Sequence, residues 1–179
     1  MKLARWAGVG AALLLFGACG PCGGAFPAAS TSGCAHPGIC LTLTGPFAGT
    51  TDGLTGPVDC IPGGGLDAVF ITDVGGRETS IEILITDNSA KSSPGFKAGT
   101  FRVATRSEQT PSSAFASVFV TPDTAVAGVP RGWSSDAAGS SGTVVIKGDE
   151  SGTVQNVVVA PAQGGTGVLH VSGTFHLWY

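Results

Sequence analysis

Five cysteines, three histidines and twelve acidic residues are the side chains that could do chemistry in this 179-residue chain. Cys19 and Cys22 stand in the run C-G-P-C, the spacing of a dithiol that cycles between thiol and disulfide. Such a pair needs its first thiol at a helix N-terminus, where the thiolate is stabilised. The residues that follow, GGAFPAASTSG, start no helix. His36 lies between Ala35 and Pro37. His170 and His176 fall on one predicted strand, six residues or about 20 Å apart, too far to share a metal ion. Their simplest place is a solvent face. Asp67 and Asp73 are also about 20 Å apart on one strand, wider than the ~6.5–9.5 Å of an inverting carboxyl pair. Glu78 and Glu82 flank Ile81 and mark a solvent face, and Asp149 and Glu150 sit in a turn. The chain contains no HExxH, GxSxG or GxxxxGK[ST]. No catalytic residue, metal ligand or cofactor is therefore assigned from the sequence.

Cys19 has a second chemistry open to it. Lys2 and Arg5 make a charged start, and residues 7–16 then carry no charge. A charged head followed by an apolar run of this length is the pattern of an export signal. The run is half the roughly 20 residues a membrane-spanning helix requires. Phe16-Gly17-Ala18-Cys19 resembles the lipobox of bacterial lipoproteins, a family that favours leucine where this chain has Phe16. The resemblance implies a diacylglycerol on the Cys19 thiol, cleavage before Cys19 and further acyl chains of the palmitate class. It also implies an extracytoplasmic protein held to a bacterial membrane. C-G-P-C resembles the thioredoxin motif too, which would make Cys19 and Cys22 a redox pair. The tryptophan and βαβ pattern of that family are missing around it, so the lipobox is the preferred reading.

Acylation of Cys19 leaves Cys22, Cys34, Cys40 and Cys60, enough for two disulfides in an oxidising compartment. Four cysteines allow three pairings. A hairpin folded near Thr50 predicts Cys40 with Cys60, leaving Cys22 with Cys34. The rival joins Cys34 to Cys40 and Cys22 to Cys60.

The chain thus divides into a signal peptide at 1–18, an anchor cysteine with a Gly, Ala, Ser and Pro-rich tether at 19–38, and a domain at 39–179. The tether composition cannot bury enough surface to offset its ordering entropy. Loss of Lys2 and Arg5 with the signal leaves seven basic against twelve acidic residues, a net charge of −5. The remaining basic residues are scattered, which argues against nucleic acid as a partner.

The domain reads as strands throughout, with alternating β-branched segments at 40–44, 57–61, 66–73, 79–87, 100–107, 114–121, 143–147, 153–160 and 168–178. Ile81, Ile83 and Ile85 share one face, and Phe101 and Val103 point inward around Arg102. Residues 114–121 are apolar on both faces, as in a central strand. About nine short strands with Gly and Pro turns predict an all-β, antiparallel sandwich or barrel-like domain. The last three should pair in sequence as a meander. Their ending, with Val171, Gly173, Thr174 and Phe175, resembles small secreted β-rich bacterial lipoproteins of unknown function.

Two function classes follow. The first is a non-enzymatic binding or structural module at the cell envelope, its partner an envelope protein or glycan. The second is an enzyme whose site is assembled from scattered residues. Trp133 and Trp178 are the candidate ligand-binding aromatics for a glycan. Against that, Trp133 lies in a predicted loop at 122–141 from which it can fold back over the core, the reading preferred here.

Overall fold

The computed structural model describes residues 38–61, 65–87, 98–123, 129–148, 151–163 and 166–177, with backbone alone for 52–61. Ten strands follow one another: β1 (Ile39–Thr44), β2 (Gly49–Ile61), β3 (Gly65–Val74), β4 (Glu78–Asp87), β5 (Gly99–Arg102), β6 (Ala114–Pro122), β7 (Trp133–Ser134), β8 (Ser141–Ile146), β9 (Ser151–Pro161) and β10 (Leu169–His176). Eight of them, in the order β10-β1-β2-β3-β4-β6-β7-β9, close into an antiparallel barrel through the β9–β10 ladder. β8 and β5 extend from β9 as extra strands. The all-β, barrel-like expectation is met, with one strand more than the sequence predicts.

Side-chain alternation builds this barrel. Ile81, Ile83 and Ile85 of β4 are buried, as are Leu66, Ala68 and Phe70 of β3 and Ile39, Leu41 and Leu43 of β1. Branched side chains favour the extended backbone and pack on a pleated surface. Each such burial removes about 1.5–3 kcal/mol of apolar exposure from water. Phe70 and Phe175 meet edge to face inside, with ring centroids 5.7 Å apart. Phe175 sits directly opposite Gly152, and a Cβ on that glycine would collide with the ring. The interior is therefore filled by side chains, one of the two outcomes open to an eight-stranded barrel.

β2 is longer than predicted. It begins at Gly49 rather than residue 57, because β1 and β3 pair with it on both sides. Its glycine-rich first half has turn composition, and tertiary pairing overrides that preference. The Gly56-Pro57 step falls where the register slips between Thr55 and Val58, a bulge that accepts a residue lacking an N–H.

The β1–β2 reversal lies at residues 45–48, not near Thr50. Ile39 pairs with Gly53 and Thr42 with Thr50, so Cys40 falls opposite position 52. Cys60 pairs with Leu66, eight residues further along β2, or about 26 Å. A disulfide spans at most about 7 Å between Cα atoms, so the predicted Cys40–Cys60 bond is excluded by register. Cys40 is disulfide-bonded. Cys22 and Cys34, expected to pair with each other, lie outside the described residues.

β5 stops at Arg102, short of the predicted 107, because a turn takes over. The Glu108 carboxylate accepts from the Thr105 amide at 2.9 Å and from its hydroxyl at 2.8 Å, closing 105–108 on itself. β8, β9 and β10 form the expected sequential antiparallel meander, with the Lys147 amide donating to the Ser151 carbonyl across the first reversal.

Candidate functional site

The residues singled out by sequence disperse over the barrel. Trp133 is not in a loop: it forms β7 with Ser134 and is 1% exposed. Its ring stacks on Phe47 at 5.8 Å, and its indole N–H donates to the Gly167 carbonyl at 3.2 Å. The ring therefore presents no face to an outside ligand, and the core-capping reading describes its position. Cys19, Cys22, Cys34, Asp149, Glu150 and Trp178 lie outside the described residues, as does the tether up to residue 37. His170 is exposed on the outside of β10. His176 is half-buried, and its Nδ1 lies 3.1 Å from the Leu177 carbonyl. Asp73, near the end of β3, accepts from the Gly76 amide at 2.8 Å and so braces the β3–β4 turn. Among the described residues no three His, Cys, Asp or Glu side chains gather as a metal site.

The structure instead brings together two carboxyls that sequence separates by fifteen positions. Asp67 pairs with Leu84 and Val69 with Glu82, so Asp67 and Glu82 are diagonal neighbours across β3 and β4. Diagonal pairs sit about 7–8 Å apart at most, within reach of each other's field. Burial, and then the Asp67 charge, push the Glu82 carboxyl above its ordinary value. Val69, Leu84 and Phe119 beside them are half-buried on the outer face, and Ile71 is 44% exposed. This outer face of β3, β4 and β6 is thus apolar with an acidic centre. β3 and β4 carry Asp67, Asp73, Glu78 and Glu82 on this face, Asp87 buried on the inward side, and no basic residue. β1, β8, β9 and β10 carry no carboxylate at all, and their outer faces present Thr42, Thr44, Ser172 and Thr174. The barrel has one acidic and apolar side and one hydroxyl side.

A second polar cluster ties loops rather than lining a cavity. Arg102 donates to Glu108 at 2.8 Å, and Gln109 donates to Asp136 at 2.7 Å. Asp136 also takes the Arg106 amide on its carbonyl at 3.0 Å and faces the Arg106 guanidinium at 3.6 Å. The Arg102 hydrogen bond, followed by those from Thr105, holds the Glu108 carboxyl at about 2 against an ordinary 4.5. Because the folded value lies below the unfolded one, this contribution is fully present above about pH 4.5. It is lost as pH falls through about 2. Carbon-detected NMR titration of the Glu108 carboxyl should therefore give a midpoint near 2. A midpoint at the ordinary value of 4.5 would show that the ion pair does not form in solution. Elsewhere, an open hollow of about 390 Å³ is lined by Thr121, Pro122, Asp123 and Arg131.

Sequence reading missed the Asp67–Glu82 pair because cross-strand neighbours are set by register. The signal that could have found it was the hairpin turn Gly75-Gly76, which fixes which residues of β3 and β4 face each other. No protein-family model, curated protein or solved structure matches this chain, so the barrel and its two unlike faces are what the functional reading rests on.

Proposed function

We propose that the chain is an exported, lipid-anchored, non-enzymatic module that binds a partner of the bacterial envelope with the outside of its barrel. The observation that carries the binding part is the packing of the interior. Trp133, Phe70 and Phe175 occupy it together with the aliphatic core, which leaves recognition to the outer faces. The apolar, acidic face around Asp67 and Glu82 supports an envelope protein as the partner. The anchor part rests on the short apolar run that ends at Phe16-Gly17-Ala18-Cys19. One acyl chain binds a membrane only marginally, so stable retention uses the several chains that lipoproteins carry.

Cys19→Ser tests the anchor directly. The wild-type protein should partition into detergent with an intact mass that includes the acyl groups. The variant should be lost from the membrane fraction while keeping the barrel's circular dichroism, since Cys19 lies outside the described barrel. A wild-type protein released free, with an N-terminus other than Cys19, would sink the proposal.

A further inference from the structure

The barrel is closed unequally around its circumference. β7 is two residues long and joins β6 to β9 at Phe119–Val120 and Ala160–Pro161, with one further backbone bond on each side, from Ser135 to Val118 and from Ala162 to Gly132. Beyond that level, β6 from residue 114 to 117 and β9 from 152 to 158 have no β7 between them. β8 covers that stretch of β9, and β5 covers β8. The ring then returns to β6 through one isolated bridge, Val103 with Ala116. That bridge is parallel, whereas every strand ladder of the barrel is antiparallel.

A seam of one bridge contrasts with the nine paired positions between β4 and β6 on the other side of the same strand. The Ala104 amide donates to the Ala116 carbonyl there at 3.2 Å, the upper end of the ordinary range. Yet the side chains behind the seam belong to the core: Phe101 and Val103 are 5% and 0% exposed, and Val144 and Ile146 are buried with them. Within residues 99–113 Glu108 holds Arg102 and Thr105 together, and Arg106 and Gln109 tie the segment's far end to Asp136.

We infer that β5 with the 103–113 loop is a strap that opens at the β5–β6 seam while the β1–β4 side of the barrel stays closed. Local opening follows where ladders are short, and it precedes global unfolding. The strap withdraws Phe101 and Val103 from the interior when it lifts. The apolar channel between β6 and β8 is then exposed to solvent. A segment that carries core side chains, is laddered to β8 over four positions and meets β6 at one bridge is a plug hinged on β8.

Native-state hydrogen exchange on the full chain reads this out. The amide of Ala104, which donates across the seam, should exchange roughly tenfold or more faster than those of Ile81, Ile83 and Ile85, through an opening cheaper than global unfolding. Glu108→Gln, which removes the charge that binds Arg102 and Thr105, should speed exchange at 101–106 by a further several-fold, on the order of the effect of losing a charged hydrogen bond. It should leave β3 and β4 unchanged. Equal protection of the seam and β4 in the wild type would overturn the strap. So would a Glu108→Gln variant in which both regions speed up together, because that is global destabilisation.

Discussion

Replacing Gly173 by alanine should lower the unfolding free energy by about 4 kcal/mol, a large share of the roughly 5–15 kcal/mol that a domain has. Gly173 adopts φ +144°, a backbone region that L side chains rarely occupy. It sits where the β9–β10 register slips after Val171, while β10 pairs with β1 at Leu41 on its other side. A Cβ there would collide with the Cys40 carbonyl oxygen and lie 2.8 Å from the Leu41 Cα. Both are backbone atoms of a paired strand, so no rotamer change relieves the clash. Forcing a side chain into a glycine-only conformation costs about 1–3 kcal/mol, and overpacking a further 1–3. The β1–β10 ladder is one of those that close the barrel, so separating it also weakens closure. Gly148→Ala is the matched control, because an added Cβ there meets nothing within 4 Å. Urea unfolding followed by circular dichroism measures both. A Gly173→Ala midpoint equal to that of Gly148→Ala would show that the strands yield at little cost.

The same glycine shows what the sequence could and could not convey. Alternation exposed β4 plainly, since Ile81, Ile83 and Ile85 point one way and Ser80, Glu82 and Leu84 the other. It did not expose the first half of β2. Residues 49–56 hold three glycines and three threonines, and they become strand only because β1 and β3 supply partners on either side. β7 was illegible for a different reason. Two residues carry no period, and Ser135 and Ser140 extend its pairing with their hydroxyls as well as with backbone. The Ser135 hydroxyl accepts from the Val118 amide at 2.8 Å, and the Ser140 hydroxyl from the Ala160 amide at 3.2 Å. Closure into a barrel, rather than a two-sheet sandwich, depends on the first and last strands meeting, a contact between residues some 130 positions apart. Local pattern is blind to such pairings. The Asp67–Glu82 pair and the misplaced Cys40–Cys60 bond have the same origin: both are matters of register. A reversal placed four residues too late moved Cys60 from the far end of β2 to a position beside Cys40.

Trp133→Ala should cost about 3–5 kcal/mol, the range for deleting a buried large aromatic. The indole is 1% exposed, the largest of the fully buried side chains in the barrel, on a strand of only two residues. It joins three parts of the chain at one end of the barrel. Its ring stacks on Phe47 from the β1–β2 turn, with an interplanar angle of 22°. Its N–H reaches Gly167, just before β10. Its own backbone bridges Val120 of β6 and Pro161 of β9. Alanine keeps the backbone bridge and removes the other two links, leaving a cavity between the turn and the last strand. Trp133→Phe separates them further. Phenylalanine retains the stack on Phe47 but leaves the Gly167 carbonyl without its indole donor, which should cost about 1–2 kcal/mol. The order wild type, then Phe, then Ala in urea midpoint is the signature of a core residue. A surface platform for a glycan would behave in the opposite way: Trp133→Ala would leave the midpoint within about 0.5 kcal/mol of wild type and act only on binding. Tryptophan emission gives an independent reading of the same position. The contribution lost in Trp133→Ala should be blue-shifted relative to exposed indole, and a red-shifted one would place the ring in water.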